Sequence, residues 1–131
     1  MAAGKVQLVY QEFPALGAGS VRAATAAEAA AEQGKFWAYH DQLYEAFAAD
    51  GAAALENDSL RTLAVAVGLN LQKFDESASS QRVADKITAE KNGGQNRGVS
   101  ATPTIFVNDR KIQGLLPYPV LRSVVEEALA N

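Results

Sequence analysis

The chain has 131 residues, 48% hydrophobic and 21% charged, which suits one globular domain with its own core and excludes a disordered chain. It contains no cysteine and a single histidine, His40, which excludes disulfides, thiolate metal sites, cysteine nucleophiles and a histidine-rich metal site. The formal charge is -3 with Lys and Arg scattered and no basic patch, so no nucleic-acid partner is expected. No apolar run approaches the ~18 residues that a membrane-spanning helix needs, and Met1 to Lys5 has no secretory-signal pattern.

In residues 5–13, Val6, Leu8 and Tyr10 alternate with Gln7, Val9 and Gln11, which predicts a strand that Pro14 ends. Ser20 is the expected N-cap of an Ala-rich helix over 21–33, with Gly34 as its stop. A second helix is expected over 35–49, where Phe36, Tyr39, Leu43 and Phe47 recur at spacings of three and four beside Trp37 and Tyr44. These aromatics are expected to pack the helical part against a sheet. Asp58 can cap a third helix over 59–67, closed by Gly68, and Asn70 opens a fourth helical region through Leu71, Phe74 and Ala78. A further helix over about 81–91 carries Val83, Ile87 and Glu90 at helical spacing, and Asn92-Gly93-Gly94 is expected to break or fray it, so that the helix either stops there or resumes weakly before Gly98.

The last third changes character. Residues 104–107 form an apolar, β-branched run, and Asn108-Asp109 separates them from Lys111-Ile112-Gln113, which predicts an antiparallel hairpin. Gly114 allows the turn out of it. Pro117 opens a final helix with Leu121, Val124, Val125 and Leu129 as its buried stripe. Asp41, Glu45, Asp50, Glu56, Glu126 and Glu127 are read as solvated faces rather than paired carboxylates. His40 is read as a partly buried or capped side chain, not a ligand.

The segment Gly98 to Gly114, GVSATPTIFVNDRKIQG, resembles the thioredoxin superfamily. In that superfamily a Thr-Pro or Val-Pro pair, here Thr102-Pro103, precedes a core strand, and the proline is cis. The upstream EFP, AAEAAAEQGKFWAYHDQLYEAF and LAVAVGLNLQKFDE narrow the resemblance to the DsbA-like thiol–disulfide oxidoreductases, which carry a helical insertion. Order and spacing of three separate segments make the match specific, and it spans essentially the whole chain. It implies an α/β, incomplete thioredoxin-like fold with a sheet of about three strands. The expected single domain, 1–131, has a helical insertion over about 18–97, core strands over 5–13, 104–108 and 111–113, and a C-terminal helix over 117–130.

The departure from the family is equally informative. Such domains open with a strand, a Cys-x-x-Cys motif and a long helix, and this sequence has no counterpart of that unit. The resemblance then implies a DsbA-family protein without its redox cysteines, inactive alone, with no catalytic residue, no metal and no cofactor. The alternative is a fragment of an active oxidoreductase whose cysteine unit is encoded upstream or supplied by another chain; a relative of the glutathione-dependent kappa-type isomerases ranks below it. Thr102 and Pro103 are the family's substrate-loop positions. Without cysteines beside them, a conformational role comes first and retained peptide or protein binding second. A missing central strand should leave the sheet either to close up, 5–13 against 104–107, or to be covered by a second copy. A homo-oligomer is the expected outcome. The family is often extracytoplasmic; this chain gives no compartment.

Overall fold

The structure, a computed structural model, describes residues 3–131 and divides them into two compact units. One spans Glu12–Lys91. The other joins the residues up to Gln11 with Asn92–Asn131.

The first unit is helical. Helix α1 (Ala18–Glu32) begins after Gly17, two residues before the expected Ser20 cap, and makes no side-chain cap bond. It ends at Gly34, whose N–H donates to Ala31 O while Lys35 N–H donates to Ala30 O, so the glycine closes a Schellman motif. Helix α2 (Phe36–Asp50) follows, then a 3-10 turn (Gly51–Leu55), α3 (Asn57–Ala66) and α4 (Leu71–Ala78). The start of α3 makes no side-chain cap bond, so Asp58 is not its cap; it lies in the first turn, where a carboxylate suits the helix dipole. Asn70 does cap α4, its side chain accepting from Lys73 N–H at 2.9 Å.

The core of this unit follows from alanine. Ala26, Ala27, Ala29 and Ala30 are buried on α1, and small side chains let α2 and α4 approach closely. Tyr39, Leu43, Leu60, Ala64, Leu69 and Phe74 complete the cluster. Tyr39 is fully buried and its hydroxyl donates to Leu60 O at 3.0 Å, which satisfies the polar tip of an apolar ring. The expectation that the α2 aromatics pack against a sheet is therefore corrected. Tyr39 serves the helical core itself, and Trp37 is 43% exposed. A smaller cluster joins Ala24 of α1 to Val83 and Ile87.

Val83 and Ile87 belong to α5 (Gln81–Asn96), which runs through Asn92-Gly93-Gly94 rather than stopping there. An existing helix adds one hydrogen bond per residue as it grows, and this offsets the roughly 1 kcal/mol that each glycine costs.

In the second unit, β1 (Thr104–Val107) pairs antiparallel with β2 (Arg110–Gln113), with Ile105 opposite Ile112 and Val107 opposite Arg110. Asn108 takes the left-handed conformation in the two-residue turn, at φ 53°, where asparagine is tolerated. Helix α6 (Tyr118–Ala130) starts after Pro117 and packs against β1 through a stripe that includes the buried Val124.

The expected strand over 5–13 does not form, and the sheet has two strands rather than three. Alternation describes side chains, whereas a strand exists through backbone pairing. Among the described residues no strand forms a ladder with 5–13, and the expected closure onto 104–107 is absent. Leu8 and Val9 stay 56% and 66% exposed. What remains is a mostly helical, incomplete thioredoxin-like α/β fold.

Candidate functional site

The C-terminal end of α5 sets the site. Gly98 sits at φ +77°, its N–H donating to Gln95 O while Val99 N–H donates to Gly94 O. This second Schellman closure turns the chain sharply from helix into loop. The loop runs over residues 98–103 and enters β1 through Thr102-Pro103, whose peptide bond is cis. Both residues are solvent-exposed.

Strand β2 braces this loop. Gly114 N–H donates to Pro103 O at 2.8 Å, extending the hairpin by one backbone bond. Lys111 Nζ donates to Gly98 O at 2.9 Å, placing a cation on the carbonyl end of α5 where the helix dipole favours it. Gln113 Nε2 donates to Ser100 Oγ at 3.2 Å, and Thr104 Oγ1 donates to Ala101 O at 2.6 Å. The Arg97 guanidinium stacks 3.6 Å from the centre of the Phe106 ring, tying the helix end to β1. The exposed Thr102-Pro103 step is thus presented on a backbone held from both sides.

Thr102 and Pro103, the substrate-loop positions that the resemblance implies, lie exposed at the entry to β1. The bracing residues Lys111, Gln113, Ser100 and Arg97 were not singled out, although a signal exists. Lys111 and Gln113 flank Ile112 at a period of two, so if Ile112 points inward they share the opposite face.

The chain has no cysteine, so no thiolate faces this loop, and hydroxyls such as Ser100 and Thr102 do not exchange disulfides. No group of three or more metal-ligating side chains occurs among the described residues. His40 lies on α2, its Nδ1 3.0 Å from Asp41 Oδ1 and its ring 4.6 Å from that of Tyr44, which fits a partly buried side chain stacked among aromatics. In the helical unit, a cavity of about 400 Å³ is lined by Arg22, Leu60, Arg61 and Phe74. Its arginines are engaged: Arg22 donates to Leu55 O and Glu56, and Arg61 to both carboxylate oxygens of Asp75.

Three kinds of comparison converge. Residues 1–127 match the family model described as thioredoxin. A solved structure of a thioredoxin-like oxidoreductase from Silicibacter pomeroyi DSS-3 superposes with a TM-score of 0.76 at 28% identity, covering 95% of this chain and 69% of that one. Among curated proteins, the chain is 28% identical over 109 residues to the probable disulfide bond formation protein D of Bacillus cereus, covering 80% of this chain and 50% of that protein. It is also 38% identical over 109 residues to a segment of the Na(+)/H(+) antiporter NhaA 3 of Salinispora tropica, which is 83% of this chain but 16% of the antiporter. The chain therefore spans about half or less of the curated relatives it matches.

Proposed function

The chain belongs to the thioredoxin family, on its DsbA-like branch, and from that we propose that it is the peptide-docking side of a thiol–disulfide oxidoreductase scaffold, without turnover of its own. One observation carries the reading. The Thr102-Pro103 step is exposed on a loop that Gly114 bonds at Pro103, Lys111 at Gly98 and Gln113 at Ser100, yet the chain offers no thiol to act on whatever docks there. An extended peptide laid along the loop would form backbone hydrogen bonds beside Thr102, as strand addition does elsewhere. The purified chain is expected to give no insulin reduction and no dithiol oxidation, while an extended cysteine-free peptide shifts the amide resonances of residues 100–102 and 104. Turnover by the chain alone, or shifts confined to the helical unit, would overturn the proposal.

A second reading is favoured by the chain spanning half of the disulfide bond formation protein: the same loop works with a Cys-x-x-Cys unit carried on another segment or chain. Supplying such a unit in covalent fusion should then produce insulin reduction, and a folded but inactive fusion would eliminate it. Antiport is no part of either reading, since among the described residues no helix is long and apolar enough to cross a membrane.

Self-association belongs to the same proposal. Leu8 and Val9 lie exposed in a segment without a ladder partner, and Leu115 and Tyr118 are 87% and 73% exposed. A homodimer is expected by light scattering at micromolar concentration, where a clean monomer would refute it.

A further inference from the structure

Where Glu12 meets α1 and α5, three carboxylates share one ammonium. Glu12 is only 7% exposed, and its backbone N–H donates to Glu90 Oε2 at 2.6 Å. Lys86 Nζ contacts Glu28 Oε1 and Glu90 Oε1, each at 2.8 Å. The lysine is thus committed to the other two carboxylates. Glu12 Oε1 is buried and has no hydrogen-bond partner among the described residues.

Among the described residues, no other charged side chain bonds Glu12 Oε1. Arg82, in the first turn of α5, pairs with Glu32 of α1, which also accepts from Ser77 of α4. With Lys86 already in the cation's place, a metal ion has no claim on this cluster. The ligand that balances it is a proton. A protonated Glu12 leaves two carboxylates against one ammonium; an ionised one leaves three, with the third buried and unsolvated.

We propose that Glu12 is a proton-operated latch: neutral, it lies buried against α1 and α5 and fixes residues 12–14; ionised, it swings to water and frees them. Its proton passes to bulk solvent and no other group changes state. Burial is the main cause that pushes the Glu12 carboxyl up, followed by Glu90 and Glu28, with Lys86 opposing; together they carry it from 4.5 to about 8. The sign follows. Between those two values the folded chain holds a proton that the unfolded chain has lost. The stabilisation is therefore complete below pH 4.5 and is lost as pH rises through about 8.

The test is a melting series from about pH 5 to 9, together with hydrogen exchange at the Glu12 amide corrected for intrinsic rate. The wild type should lose several degrees of Tm between about pH 5 and 8 and level off above that. Opening at Glu12 should rise about tenfold per pH unit until it levels off near the midpoint. Glu12→Gln, which keeps the shape without the titration, should abolish both trends. Glu90→Gln removes the nearest repelling charge and should move the midpoint toward lower pH, a readout that survives if Glu12→Gln folds poorly. A flat wild-type profile, an unchanged slope in Glu12→Gln, or an unmoved midpoint in Glu90→Gln would each overturn the latch.

Discussion

Tyr39 and Ile112 show how differently the two units are held. Tyr39 is completely enclosed by a cluster that draws on α1, α2, α3 and α4 and the loop between the last two. Ile112 is 9% exposed, and Val124 is the only other buried side chain described in its unit. The helical unit is held by apolar burial. The hairpin unit is held by strand register, a backbone bond to Pro103 and polar braces from Lys111 and Gln113. A core makes a unit stable on its own, whereas braces fix geometry and leave a face open. The open, braced unit is the one that carries Thr102 and Pro103.

Three substitutions sharpen or break that contrast. Tyr39→Ala should cost the most, about 3–5 kcal/mol, because it empties a fully buried aromatic site and removes the hydroxyl bond to Leu60. Urea denaturation followed by far-UV circular dichroism would read the loss. Ile112→Ala should cost about 2 kcal/mol, the low end for such truncations, because a thinly covered site collapses more easily. Hydrogen exchange should show that loss in β1 and β2 and not in α1 to α4. A cost equal to that of Tyr39→Ala would mean the hairpin unit has a real core after all.

Gly98→Ala should have the smallest effect on stability, about 1 kcal/mol, because a side chain is disfavoured at the left-handed C′ position. The added methyl would sit 3.1 Å from Lys111 Nζ, the end of a flexible chain that can shift. Its effect on docking should be larger, since the move loosens a brace: peptide-induced shifts at residues 100–102 and 104 weaken while the helical signal holds. Unchanged shifts would show that the brace does not shape the loop.

Much of the helical unit could be read in advance because its signals are local. The Ala-rich run, Asn70, and the glycines at 34 and 68 act through neighbouring backbone. The misses were of another kind. The alternation in residues 5–13 specified a side-chain pattern without supplying a partner strand. Asn92-Gly93-Gly94 looked like a stop, but the helix before it was strong enough to propagate. Glu90 was noticed at helical spacing with Val83 and Ile87, a carboxylate on a buried stripe. That was the one trace of the Glu12 cluster, and no local rule could bring Glu12 to it across 78 positions.

By itself the sequence determined that this chain carries no thiol, that its middle is helical, and that Thr102-Pro103 leads into a hairpin. These depend on composition, on periodicity and on the order of short segments. Only the tertiary structure decided that 5–13 joins no strand among the described residues, that Tyr39 fills the helical core while Trp37 faces out, and that the buried Glu12 Oε1 has no hydrogen-bond partner among them. Each of those depends on what a distant part of the chain provides: a ladder partner, a cavity of the right shape, or a cation already committed elsewhere.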